Sequence, residues 1–301
     1  MSTPSMAEAK AGLGRGTGTR LAVLGSPIGH SKSPAIHAAA YEVLGLDWRY
    51  ERFDVPEGEL ADFMANRGGG WRGFSVTMPL KQEARAYAST LAPAAAEIGA
   101  VNTLVFDTTD PAAPARGWNT DVTGFIAALS EAGIESARRV RLLGAGGTAA
   151  AVVAALPSLR TEALSLVVRS PPRAQALAEL ASSLGLQVEV MTFAQFDARP
   201  ASAKAAELVV NTVPGDRDHL RVDKSWVQGA VLFDVLYDPW PTKLAARWQS
   251  AGGRVVSGLE LLLAQALLQV RLFTGRGESE PLPREVEVRS AMRSAALRVS
   301  E

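Results

Sequence analysis

The 301-residue sequence contains no cysteine, which excludes disulfides, thiolate zinc sites and a cysteine nucleophile. Its three histidines, His30, His37 and His219, are too few and too scattered to make a metal site. An excess of either charge is missing as well. The 31 Lys and Arg balance 31 Asp and Glu, so no basic field draws nucleic acid or an anionic membrane surface. No apolar run is long enough to span a bilayer. The longest, residues 259–273, is interrupted by Glu260, Gln265, Gln269 and Arg271 and suits a buried amphipathic helix. Residues 1–19 lack the apolar core of a secretion signal, and their glycines have no strand before them and no helix after. That segment is expected to be a disordered leader, and the protein to be cytoplasmic. What is present, 47% hydrophobic and 21% charged residues, is the composition of a globular chain long enough for two domains.

The strongest local pattern is Arg141-Leu-Leu-Gly-Ala-Gly-Gly-Thr-Ala-Ala-Ala151. Residues 140–143 read as a short buried strand, and residues 148–156, rich in Ala and Val, as a tightly packed helix. Between them Gly144, Ala145, Gly146, Gly147 and Thr148 form a turn whose backbone N–H groups can approach an anion at a helix N-terminus. The spacing is close to the dinucleotide fingerprint, with Ala149 at the third glycine position. An ordinary strand-to-helix turn is the plainer reading of the glycines alone. From residue 163 to residue 256 strands and helices alternate, as an open parallel sheet requires.

Upstream, strands are expected at residues 21–25, 48–55, 73–77 and 101–106, and helices at 57–66 and 91–98. A further helix runs from Pro34 to Gly45, with Ser33 as its cap. Residues 107–116, with Pro111 and Pro114, read as an exposed hairpin or loop. Polar loops follow the strands: Ser31 and Ser33 in the first, Thr77 and Lys81 around the second, Asn119 to Asp121 at the crossover, and Asn102 in its own turn. Singly, these are a cap, a solvated lysine, a helix-starting aspartate and a turn residue. Together, hydroxyls, an amide, an ammonium and a carboxylate suit a small, polyhydroxylated, anionic substrate held outside strand ends.

In order along the chain stand Gly25-Ser-Pro-Ile-Gly-His-Ser-Lys-Ser-Pro34, Ser75-Val-Thr-Met-Pro-Leu-Lys81, Gly99-Ala-Val-Asn-Thr-Leu104 and Asn119-Thr-Asp121. Gly144-Ala-Gly-Gly147, Val210-Asn-Thr212, Asp234-Val-Leu-Tyr-Asp-Pro239 and Gly258-Leu-Glu-Leu-Leu-Leu-Ala-Gln265 follow. This set, over residues 21–275, resembles the shikimate dehydrogenase family. The resemblance implies a reversible NADPH-linked reduction of 3-dehydroshikimate to shikimate in aromatic amino-acid biosynthesis, with no metal. It implies that Ser31 and Ser33, helped by Tyr237, hold the substrate carboxylate, and that Thr77, Asn102 and Gln265 bind ring hydroxyls. Lys81 and Asp121 would be the catalytic pair, Lys81 as proton donor or as electrostatic anchor for the developing oxyanion.

An NAD-selective site would place an acid after the strand at residues 163–168. None is there; Arg169, Ser170 and Arg173 could instead contact a 2′-phosphate, although the family's usual Asn is Val168 here and two prolines interrupt the loop. Thr212 and Val213 would face the nicotinamide half, and Gly258 would let the backbone approach it. The expected architecture is α/β, with a cleft between a substrate-binding catalytic domain at 20–120 and a Rossmann-like NADP-binding domain at 121–257. A helix at 258–280 returns to the first domain, and a tail of unread function occupies 281–301. The expected partner is a small-molecule substrate, and the expected state a monomer or homodimer. A quinate or quinate/shikimate dehydrogenase using NAD, and a non-catalytic nucleotide-binding paralogue, are the competing readings.

Overall fold

The computed structural model describes residues 18–107, 112, 114–200, 205–215, 222 and 224–298. Residues 1–17 of the expected leader, residues 108–111 and 113 of the expected loop, and His219 lie outside the described residues. The chain divides into two compact units: Met1–Thr120 with Gln265–Glu301, and Asp121–Ala264.

The first unit is built on β1 (Thr19–Gly25), β2 (Trp48–Asp54), β3 (Trp71–Val76), β4 (Thr90–Leu91), β5 (Thr103–Phe106) and β6 (Ala115–Trp118), in the order β2-β1-β3-β5-β6-β4. One face packs Phe53, Phe63, Trp71, Phe74 and Phe106 together, with Phe74 edge-on to Phe106 at 5.9 Å. Each such ring contributes roughly 1.5–3 kcal/mol by leaving water. β1, β2 and β3 are parallel, but β5 runs antiparallel to both β3 and β6. This reversal decides where the polar turns meet. Thr103, the first residue of β5, lies opposite Ser75 near the end of β3 and opposite Trp118 at the end of β6. The entrance to β5 therefore shares one sheet edge with the exits of β1, β3 and β6.

Several local expectations are corrected. The segment at 91–98 is a helix only over Pro93–Ile98, because Thr90–Leu91 pairs with β6 as a short strand. The helix expected at 57–66 is confined to Leu60–Ala65. Its start is capped from a distance: the Glu83 carboxylate accepts from Gly58 N–H at 2.8 Å and Leu60 N–H at 3.3 Å. Ser33 is not the cap of helix Ser33–Leu44 but its first residue; Lys32 precedes it and provides no side-chain cap.

The tail contributes helix Glu285–Arg298, which buries Val288, Met292, Ala295 and Ala296. The buried Lys32 ammonium donates to the Ala296 carbonyl at 3.3 Å, a cation at a helix C-terminus, where the dipole favours it. Arg271 and Glu285 close a two-point ion pair at 2.9 and 2.6 Å.

The second unit holds β7 (Arg139–Leu143), β8 (Ala163–Val168), β9 (Gln187–Thr192), β10 (Leu208–Asn211), β11 (Val231–Asp234) and β12 (Arg254–Ser257). All are parallel, in the order β12-β11-β10-β7-β8-β9. The unit's first strand is central and the chain winds outward on both sides, so the order reverses between β7 and β10. Open sheets of this kind bind ligands outside the carboxyl ends of the strands at that reversal. Below it, Trp226 packs against Phe196 and Trp248 at 5.1 and 5.2 Å. Among the described residues no helix is long and apolar enough to cross a membrane.

Candidate active site

At the functional edge of the first unit, the exits of β1 and β3 are tied together. Ser26 N–H donates to the Met78 carbonyl at 3.0 Å and Thr77 N–H to that of Leu24 at 2.9 Å. The loop carrying Ser31 is held by β2, with Ile28 N–H on the Asp54 carboxylate at 3.3 Å and the Arg52 guanidinium on the Gly29 carbonyl at 2.6 Å. Ser31 Oγ accepts from Ser33 N–H at 3.3 Å, so the two serines form one turn at the start of their helix. Lys81, half-buried, begins helix Lys81–Tyr87, and its carbonyl accepts from Val101 N–H at 3.0 Å. That bond draws the lysine's backbone to the turn bearing Asn102.

Asn102 is almost wholly enclosed and heavily bonded. Its Oδ1 accepts from Thr103 Oγ1 at 2.8 Å and from Thr120 N–H at 2.9 Å, and its Nδ2 donates to Thr120 Oγ1 at 3.0 Å. Thr120 opens helix Thr120–Glu131, and Asp121, buried, is the next residue. Ser31, Ser33, Thr77, Lys81 and Asn102 are thus brought to one edge of one sheet. Gln265 lies buried in helix Gly258–Phe273, whereas Tyr237 stands in the other unit, three residues beyond β11. Burial pushes the Tyr237 phenol up, and Asp238 adds to the shift.

His37, read only as a histidine too isolated for a metal, sits beneath this edge. Its ring stacks on Tyr50 at 3.9 Å and its Nδ1 meets the Ser33 carbonyl at 2.9 Å. Complete burial pulls its pKa from 6.5 down to about 4, against the opposing hydrogen bonds of Ser33 and Gln269. Between those values the unfolded chain binds a proton that the native one refuses, so stability is lost as pH falls through that window. The loss amounts to about 3 kcal/mol. Acid denaturation followed by urea titration should show this slope, and His37→Gln should flatten it.

In the second unit, the turn after β7 lies at the sheet's reversal. Gly144 has φ +105, and a Cβ there would stand 2.5 Å from Thr212 Oγ1, so only glycine fits. Gly146 differs: its backbone is extended, and a Cβ would meet no protein atom within 4 Å. The open side of Gly146, next to the N-terminus of helix Gly147–Ala155, is a cradle suited to a pyrophosphate. Arg169 and Arg173 are exposed just past the end of β8, with Ser170 between them. Thr212 and Val213 follow β10 across the reversal. Gly258 has a packing reason of its own, since a Cβ there would fall 2.0 Å from the Val235 carbonyl oxygen.

Two residues given no role from the sequence shape this half. Asn211 Nδ2 donates to Asp234 at 2.9 Å while its Oδ1 accepts from Val213 N–H at 3.2 Å. Asp234 also accepts from Thr242 Oγ1 at 2.6 Å and Leu236 N–H at 3.2 Å. Burial raises the Asp234 pKa, and these bonds oppose the rise. A polar pair at the ends of adjacent buried strands was the available signal. Among the described residues no cluster of three or more His, Cys, Asp or Glu could hold a metal ion.

Residues 23–104 match the model of the shikimate dehydrogenase substrate binding domain. The chain is 37% identical to the NADP(+)-dependent shikimate dehydrogenase of Moorella thermoacetica, over 85% of this chain and 88% of that one. The chain belongs to the shikimate dehydrogenase family. Among solved family members, the Mycobacterium tuberculosis enzyme aligns with a TM-score of 0.77 at 38% identity, over 93% of this chain and 99% of that one. Shikimate 5-dehydrogenase of Thermus thermophilus, solved with NADP(H) and shikimate, aligns with a TM-score of 0.75 at 34% identity, over 92% and 99%.

Proposed function

We propose that the protein catalyses the reversible NADPH-dependent reduction of 3-dehydroshikimate to shikimate, in aromatic amino-acid biosynthesis. The observation that carries this reading is the gathering of Ser31, Ser33, Thr77, Lys81 and Asn102 at one sheet edge. They belong to a chain whose other unit offers a glycine cradle at a parallel-sheet reversal. Relatives named as NADP(+)-dependent shikimate dehydrogenases, similar over most of the chain, support it.

The substrate is a ring bearing a carboxylate and hydroxyls. In this reading the Ser31 and Ser33 hydroxyls donate to the carboxylate, with Tyr237 as a third donor, and Thr77, Asn102 and Gln265 bind ring hydroxyls. NADPH, when bound, supplies the hydride; Gly144 to Thr148 would hold its pyrophosphate, Arg169, Ser170 and Arg173 its 2′-phosphate, and Thr212, Val213 and Gly258 would border its nicotinamide. As the carbonyl carbon gains hydride, its oxygen gains negative charge. The Lys81 ammonium stabilises that charge and gives the oxygen its proton, and Asp121 orients the ammonium and anchors the neighbouring hydroxyl. In the reverse direction Lys81 takes the proton back. The reading also includes a cytoplasmic enzyme working as a monomer or homodimer.

Turnover of shikimate and of quinate, each with NADP and with NAD, tests the reading; faster oxidation of quinate with NAD would reject it. Guanidinium suits a 2′-phosphate, so Arg169→Ala should raise the KM for NADP about tenfold and leave that for shikimate within twofold. Equal rises in both would remove Arg169 from the phosphate site.

A further inference from the structure

Beneath Asn102 runs a directed chain of hydrogen bonds whose middle member, Gln269, has no assigned role. Tyr50 Oη donates to Ser75 Oγ at 2.6 Å, and Ser75 Oγ donates to Gln269 Oε1 at 2.8 Å. Gln269 Nε2 donates to Thr103 Oγ1 at 3.0 Å and to the Asn102 carbonyl at 3.4 Å. Thr103 Oγ1 donates in turn to Asn102 Oδ1 at 2.8 Å. One backbone group sets every direction in it. Thr120 N–H can only donate, so the Asn102 atom 2.9 Å away must be the oxygen. Thr103 then has to spend its single hydroxyl proton on that oxygen and accept from Gln269. Gln269 must therefore turn its amide nitrogen to Thr103 and its oxygen to Ser75, and Ser75 must accept from Tyr50.

The outward consequence is at Asn102 Nδ2. One of its protons goes to Thr120 Oγ1, and the amide cannot flip to offer an oxygen instead. Asn102 therefore presents a donor. We infer that Gln269 is a positioning residue for substrate recognition, holding Asn102 at both its main-chain carbonyl and, through Thr103, its side chain, so that Asn102 binds a ligand oxygen as acceptor. Gln269 is almost wholly enclosed, so no water substitutes for its contacts. The inference rests on the reading of Asn102 as a substrate ligand.

Gln269→Glu changes the polarity of the chain at nearly constant volume. A carboxylate still accepts from Ser75, but it competes for the Thr103 proton and opposes the Asn102 carbonyl, acceptor against acceptor. A double-mutant cycle with Asn102→Ala separates action through Asn102 from any other. Gln269→Glu should raise the KM for shikimate about tenfold, the worth of one good hydrogen bond, and shift that for NADP less than twofold. In the Asn102→Ala background the same substitution should add less than twofold. Should Gln269→Glu fail to fold, Thr103→Val, which removes the intermediate hydroxyl at equal volume, takes its place in the cycle with the same expectation. An undiminished effect in the Asn102→Ala background, or an equal rise in both Michaelis constants, overturns the inference. If Asn102→Ala itself leaves the KM for shikimate unchanged, the reading of Asn102 fails and the inference falls with it.

Discussion

Lys81→Ala is expected to lower kcat about a thousandfold, the range a positioned proton donor supplies. The KM for NADP should stay within twofold of wild type, and the melting temperature should fall far less than the rate does. The last expectation follows from where the lysine sits. It is the first residue of helix Lys81–Tyr87, the positive end of the helix dipole, where a cation is disfavoured. Its backbone is held to the Asn102 turn by the Val101 N–H at 3.0 Å. An alanine keeps that backbone bond and the helix. What it removes, in the proposed role, is the charge that would meet the developing oxyanion. A kcat within tenfold of wild type would contradict the proposed role, and a loss of stability matching the loss of rate would make Lys81 a structural residue instead.

The second large effect separates two glycines of one turn. Gly146→Ala should raise the KM for NADP at least about tenfold, while the melting temperature without ligand moves by less than about 2 °C. Its backbone is extended and nothing in the protein occupies the place of the added methyl, so the fold has no objection to it. A pyrophosphate resting on the turn does, because the second fingerprint glycine exists to let that group come close. Gly144→Ala should behave differently. With φ at +105 and Thr212 Oγ1 in the way, it should cost about 2 kcal/mol of stability as well as cofactor affinity. Gly146→Ala with unaltered NADP kinetics would remove the cofactor from this turn.

Where one segment carried its own signal, it could be read from the residues alone. The strand at Ala163–Val168 appears with the expected bounds, since it is a largely apolar run followed by turn residues. Helix Ser33–Leu44 ends at Gly45, left-handed at φ 67, as the glycine implied. Features made by distant partners were not legible. β6, Ala115-Arg-Gly-Trp118, has little strand character, and Gly117 reads as a breaker. It is a strand because it pairs with β5 and β4, and it carries glycine because a Cβ there would meet Val101 at 2.8 Å and Ala88 at 2.9 Å. The shortened helix Leu60–Ala65 owes its start to Glu83, more than 20 residues away. Ser31, Ser33, Thr77 and Lys81 follow the parallel strands β1 and β3, but Asn102 joins their edge only because β5 runs antiparallel, which no local pattern encodes. Gln269 read as one more interruption of an apolar run; only the tertiary fold sets it between Ser75 and Thr103.

The most direct measurement is the fate of the hydrogen that shikimate loses. Shikimate carrying deuterium on the carbon that is oxidised, turned over with NADP, should deliver one deuterium to the nicotinamide ring per cycle and none to water. Deuterium released into solvent, or no NADPH formed from shikimate at all, would contradict the account.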